Sequence, residues 1–195
     1  MNGAGLHLPN RDERILDAAE KLFYDRGFDG VGVDEIGAAA GVSGSAIYRH
    51  FHGKSEILAA LFDRAIDALQ VSVAGPRRDP TAELELLIRS FATFAAKNRQ
   101  LAGIWEREHR SLTEPYQRPY QRRLRSYLAR WTQCFEALYP ESSGDELRAA
   151  IRAVQVLLLS DSTRPIMADH ADPTTELLVA MAMHSLSALQ GVPTP

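Results

Sequence analysis

The chain has 195 residues, 22 basic against 25 acidic side chains, a formal net charge of −3 and a hydrophobic fraction of 45%. These values exclude a disordered or collagen-like chain, and the length suffices for one domain, or two small ones, with a buried core. A single cysteine, Cys134, excludes an internal disulfide framework and fits a reducing cytoplasm.

In chain order, the first ten residues lack the basic flank and apolar segment of a signal peptide. Asn10 and Glu13 have the spacing of a capping box. Ile15, Ala18, Ala19, Leu22 and Phe23 then recur at helical spacing, and Gly27 closes that helix. A short helix follows over Val33–Ala40, with Asp34 and Glu35 in the first turn, where the macrodipole favours acids. After Gly41-Val42-Ser43, another is expected from Gly44 to about Phe51.

Ile57, Leu58, Leu61, Phe62, Ala65, Ile66 and Leu69 mark a longer helix ending near Val73. Further helices are expected over Thr81–Lys97, Leu101–Leu112, Pro119–Tyr139, Asp145–Ser160 and Pro173–Leu189. Ser143 with Glu146 forms a second capping box. Asp172-Pro173 supplies an N-cap and a first-turn proline, and Gly191 ends the last helix. No strand alternation appears, and no apolar run approaches the ~20 residues of a membrane span. The expected fold is all-α, with about nine helices.

Two short helices joined by a glycine-containing turn describe a helix-turn-helix. Ile36, Val42 and Ile47 are spaced to meet in its core. The second of these helices would enter the DNA major groove with its N-terminal residues at base edges. Gly44, Ser45 and Ala46 are small enough for close approach, and Ser43 can both cap the helix and reach phosphate. Tyr48, Arg49, His50 and Lys54 supply donors for phosphate or guanine. The candidate DNA-binding set is therefore Ser43, Gly44, Ser45, Tyr48, Arg49, His50 and Lys54.

Gly41-Val42-Ser43, Ile47-Tyr48-Arg49-His50-Phe51 and Lys54-Ser55-Glu56-Ile57-Leu58 resemble the recognition segment of TetR-type (tetracycline-repressor-like) regulators. Ile15 to Ala19, Leu22-Phe23, Gly27-Phe28 and Asp34 to Gly37 fall in the same family order. The resemblance covers about residues 10–62. Gly32 departs from it, standing where the family usually has a capping Thr that touches phosphate. The implied organisation is a DNA-binding domain over residues 1–54 and an effector-binding, dimerising domain over 55–195.

Charge distribution agrees with that division. Residues 1–54 carry six bases and eight acids, yet no acid lies between Gly41 and Ser55. Such a reader would bind weakly as a monomer. A homodimer reading a palindromic double-stranded DNA operator, with recognition helices ~34–36 Å apart, is the natural form. Two apolar faces suit the dimer interface: Leu147, Ile151, Val154, Leu157 and Leu158 on one helix, and Leu177, Leu178, Met181 and Leu189 on the next. The resemblance likewise implies pairing through the last two helices, about residues 145–160 and 173–189.

The middle of the chain suits a small-molecule effector. Ligand cavities in helical bundles are mostly apolar with a few placed polar groups. Phe91, Phe94, Trp105, Tyr127 and Trp131 are candidate walls, with Arg122 or His109 at the mouth. Arg118, Arg122 and Arg125 share a face beside a core stripe that includes Leu124 and Leu128. An anionic amphiphile such as a fatty acid or acyl-CoA would suit that combination. Trp105 to Glu108 also resembles a Trp-x-Arg-Glu string of an actinobacterial group of these regulators associated with lipid catabolism.

Glu106 and His109 match the Glu-x-x-His unit of carboxylate-bridged di-metal bundles, but the chain holds no second unit. No metal site, cofactor or catalytic residue is therefore expected. The expected function is a ligand-responsive transcriptional repressor. An activator, or a ligand-binding protein with a vestigial DNA domain, stays open.

Overall fold

The computed structural model describes residues 10–75, 79–160 and 173–190, and among them it holds nine α-helices and no strand. They are α1 (Arg11–Arg26), α2 (Val33–Ala40), α3 (Gly44–Ile47), α4 (Lys54–Ser72), α5 (Pro80–Lys97), α6 (Arg99–Glu108), α7 (Gln117–Leu138), α8 (Gly144–Leu159) and α9 (Pro173–Ser185). A 3₁₀ turn over Leu186–Gln190 continues α9. The all-α expectation holds. Asp172 and Gly191, expected to bracket the last helix, lie outside the described residues.

Local chemistry starts the helices where side chains can serve their first free N–H groups. Asn10 and Glu13 exchange reciprocal hydrogen bonds at the start of α1, and Ser143 with Glu146 does the same for α8. Asp79 caps α5 by accepting from the N–H groups of Thr81 and Ala82.

α1 to α3 close over Ile15, Ala19, Phe23, Ile36 and Ile47, none of which reaches solvent. At about 1.5–3 kcal/mol for each large aliphatic or aromatic side chain buried, this small core is held mainly by apolar packing. Val42, the third expected member, is half-buried. Two glycines permit the sharp α2–α3 turn. Gly41 has φ of +68°, in the left-handed region, and a Cβ on Gly37 would stand 3.0 Å from the Val42 carbonyl oxygen and 3.2 Å from Gly44 N.

One continuous apolar core runs on through α4 into the remaining helices. α4 buries Ile57, Leu58, Leu61, Phe62, Ala65, Ile66 and Leu69 and so forms the spine between the two parts. Ion pairs bind this spine laterally. Arg64 reaches Asp17 and Glu20 on α1, and Arg123 of α7 meets Asp63 and Asp67. Deeper in, Arg130 holds the buried Glu83 and the carbonyl of Val73.

Candidate functional site

α3 is shorter than expected. Its regular helix ends at Ile47, and the hydrogen bonds of Arg49 to Ala46 and His50 to Ile47 tighten the chain into a 3₁₀-like turn. Ile47 is fully buried, and this turn leads the chain down to Phe51, which is buried too.

The outer surface of this turn carries the expected polar set. Ser43 Oγ accepts the N–H of Ala46 at 3.2 Å and lies 3.0 Å from Ser45 Oγ. Ser43, Ser45, Tyr48 and Arg49 are exposed, Tyr48 at 59%. Gly44 is half-buried because α2 passes beneath it; a Cβ there would meet Asp34 Oδ1 at 2.0 Å. His50 lies at the edge of the set, its Nδ1 2.6 Å from Asp12 Oδ1 on α1.

Lys54 differs from its expected placement. Its ammonium turns inward, donating to the carbonyls of Phe28 at 2.9 Å and Val31 at 3.4 Å, and lies 4.4 Å from the centre of the Phe28 ring. This ties the first residue of α4 to the loop between α1 and α2. Gly32 also differs in chemistry from the family pattern while keeping the cap. Its N–H donates to Glu35 Oε2 at 2.9 Å, and together with Arg26 it holds the Glu35 carboxyl below the usual carboxylate range.

A cavity of about 300 Å³ opens between α5, α6, α7 and α8. Three expected wall residues border it: Phe91, Trp105 and His109. The other four do not. Tyr127 and Trp131 are spent in the core, where Trp131 packs edge-on against Phe91 with ring centres 6.1 Å apart. Phe94 backs Trp105 from the far side and borders a separate, more polar groove with Ser72, Ser90 and Thr93. Arg122 is exposed and away from the cavity.

The missing wall comes from α7 and α8. Tyr120, Leu124 and Leu128, at i, i+4 and i+8, line one side, although the last two looked like plain core. Arg152, Gln155, Val156 and Leu159 line another. Their spacing of i, i+3, i+4 and i+7 was a readable signal, hidden because two members are polar. Glu106, noticed in the sequence only as half of a metal motif, is the remaining wall residue. Among the described residues, no three His, Cys, Asp or Glu side chains are grouped to hold a metal ion.

The polar groups around the cavity are few. Trp105 Nε1 donates to Tyr120 Oη at 2.5 Å, and burial pushes the Tyr120 hydroxyl up to about 12. His109 Nδ1 lies 2.9 Å from the Glu106 carbonyl and 3.2 Å from that of Trp105. Both partners are acceptors, so Nδ1 carries a proton and donates to them.

α6 faces two ways. Trp105, Glu106 and His109 meet the cavity, while Arg107 and Glu108 reach the N-terminal helices. Arg107 donates to the carbonyl of Tyr24 at 2.8 Å, and Glu108 Oε1 accepts the N–H of Phe28. A second link joins Tyr116, just before α7, to Glu56 in the first turn of α4 at 3.3 Å. Burial works to raise the Glu56 carboxyl, but the hydrogen bonds from His52 and Tyr116 hold it low.

Comparison with known proteins agrees with this geometry. The model of bacterial regulatory proteins of the tetR family matches residues 15–61. Among curated proteins, the HTH-type transcriptional activator FasR of Mycolicibacterium smegmatis is 36% identical over 121 residues, which are 58% of this chain and 54% of FasR. The chain thus spans about half the length of that relative. Among solved structures, a regulatory protein in the tetR family from Rhodococcus RHA1 superposes with a TM-score of 0.77 at 21% identity, covering 93% of this chain and 98% of that one. AibR, solved with isovaleryl coenzyme A and operator DNA, has a TM-score of 0.74 at 19% identity, covering 88% and 97%.

Proposed function

We propose that this chain, whose residues 15–61 match the tetR family model, is a DNA-binding transcriptional regulator of that family, released from its operator by a small molecule. The observation that carries this reading is the exposed quartet Ser43, Ser45, Tyr48 and Arg49 on a turn braced from behind by α1 and α2. No packing need explains a 59% exposed tyrosine beside an exposed arginine there. Both suit phosphate and base-edge contacts.

Residues 1–54 read DNA in this proposal, and residues 55–195 hold the effector and the dimer contact. Val156 on α8 and Leu177 and Met181 on α9 are large apolar side chains left 48–59% exposed, which suits burial against a second copy. Leu147, Ile151, Val154 and Leu158, also expected at that contact, are buried within the protomer. The dimer would then read a palindrome. Its place of work is the cytoplasm, where the operator is.

The effector fills the cavity against α6. Displacement of α6 pulls on Tyr24 and Phe28 through Arg107 and Glu108, and so resets the tilt of the reading turn. The ligand must bind one of the two arrangements better for this to shift the balance. An acyl compound is the favoured class, because the cavity is apolar and the similar fold of AibR holds isovaleryl coenzyme A.

Fluorescence anisotropy with the promoter fragment next to the gene tests the reading. Saturable binding that acyl compounds reverse supports this reading. A reporter fused to the same promoter then tells a repressor from an activator. If no genomic fragment binds above random DNA, the regulator reading fails and a ligand-binding protein with a vestigial reading turn takes its place.

A further inference from the structure

We infer that the cavity selects an apolar molecule bearing an N–H or O–H donor, which Glu106 accepts, and that it disfavours an ionised carboxylate. The inference rests on the proposed effector role of the cavity and names the polar chemistry of what fills it.

It starts from an unmet hydrogen-bonding need. Glu106 borders the cavity, and its Oε2 is shut off from solvent with no hydrogen-bond partner among the described residues. Buried carboxylate oxygens are nearly always satisfied, because removal from water without a donor is costly. None of the cavity's other polar residues, His109, Tyr120, Arg152 and Gln155, reaches that oxygen with a hydrogen bond as they stand. His109 Nδ1 is taken up by the backbone carbonyls of Trp105 and Glu106. Arg107 and Glu108, the next residues along α6, face the other way and hold Tyr24 and Phe28.

The α6 wall therefore presents the Glu106 carboxylate, an acceptor, to a space bordered on the α8 wall by the polar side chains of Gln155 and Arg152. A donor on the ligand would satisfy Glu106. A carboxylate brought to the same place would set like charges together in a poorly solvated site. The Tyr120 hydroxyl already accepts from Trp105 and keeps its own proton to give, which suits a carbonyl oxygen on the same ligand. An amide fits both groups at once, and so does a thioester whose adjoining arm carries amide N–H groups. Arg152, exposed at the rim, is placed for an anionic extension lying outside the cavity.

The test uses probes of one chain length: decanamide, decanol, decylamine and decanoate, titrated at neutral pH against the full chain. Tryptophan emission is the readout, since Trp105 borders the cavity. The donor-bearing probes should bind at least about tenfold more tightly than decanoate, a typical consequence of one charge-assisted hydrogen bond against an unpaired one. Glu106→Gln keeps the shape, adds a donor, and should shrink that ratio severalfold; matching thermal melts establish that it folds.

The amine arm separates charge from donation. Binding of decylamine alone would replace the general donor with a cation and overturn the inference as stated. Decanoate binding as tightly as decanamide, or a ratio unchanged by Glu106→Gln, would overturn it while leaving the cavity as an effector site. If none of the four binds, the effector role of the cavity falls as well.

Discussion

Glu108 accepts the backbone N–H of Phe28 at 3.1 Å, joining two residues 80 positions apart. Its other carboxylate oxygen takes the Ser111 hydroxyl at 2.9 Å, which fixes the side chain from the rear. A carboxylate clamped on both oxygens ties α6 to the loop between α1 and α2, the link on which the proposed release of DNA depends.

Glu108→Ala leaves the part-buried Phe28 N–H unserved and should cost about 1–3 kcal/mol of stability. It should also weaken the effector's power to release DNA, while intrinsic ligand affinity stays nearly constant. Glu108→Gln retains an acceptor and should keep most of both. Calorimetry and ligand-dependent anisotropy on the three proteins would check this; full effector response in the alanine variant would remove Glu108 from the coupling.

Arg49→Ala and Tyr48→Ala should abolish sequence-specific binding with little change in melting temperature, because both side chains are exposed. Loss of a good base contact typically costs about 1–3 kcal/mol of discrimination. Lys54→Met should behave differently. Its ammonium serves two backbone carbonyls, so stability and DNA affinity should fall together. A variant that melts normally and only flattens the salt dependence would instead place Lys54 on phosphate.

Leu177→Glu and Met181→Glu put charges on the exposed α9 face and should dissociate the proposed dimer while leaving helix content unchanged. Sedimentation velocity distinguishes the species. Operator affinity should then drop by orders of magnitude, since each half-site contributes little alone.

Alkaline pH supplies a further check. The Tyr120 hydroxyl titrates at about 12 in the folded chain against an ordinary 10.0, because burial disfavours the phenolate. A folded value above the unfolded one means that the stability is complete below pH 10 and is lost as the pH rises toward 12. Melting temperature should decline over that window, less steeply in Tyr120→Phe than in the parent.

Much of this molecule was legible as a sequence because local chemistry decides it. The capping pairs Asn10–Glu13 and Ser143–Glu146 form as their spacing implied; the apolar column of α4 is buried, and in α1 Ile15, Ala19 and Phe23 are buried while Ala18 and Leu22 are half-buried. The inward turn of Lys54 was not legible, because a lysine's reach depends on which carbonyls stand opposite, and Phe28 and Val31 come from another segment. The cavity was only half legible for a related reason. Phe91, Tyr127 and Trp131 have the same chemistry whether they border a void or fill the core, and a void belongs to the arrangement of four helices. Glu106 could have been found by asking what a carboxylate does one turn from His109 beside Trp105. That its Oε2 has no hydrogen-bond partner among the described residues, however, appears only once the surrounding helices are in place.

Successive residues on α6 are turned by about 100° about its axis. That angle puts Trp105 and Glu106 on the cavity side, where under the proposed function selection for a new inducer would act, and Arg107 and Glu108 on the side that meets Tyr24 and Phe28. Gene duplicates can therefore diverge in what they detect through the first pair and inherit the linkage to the reading turn unaltered through the second. A one-residue insertion after Glu106 would rotate the two pairs out of phase. Substitutions should accumulate in this stretch during divergence, and length changes should not.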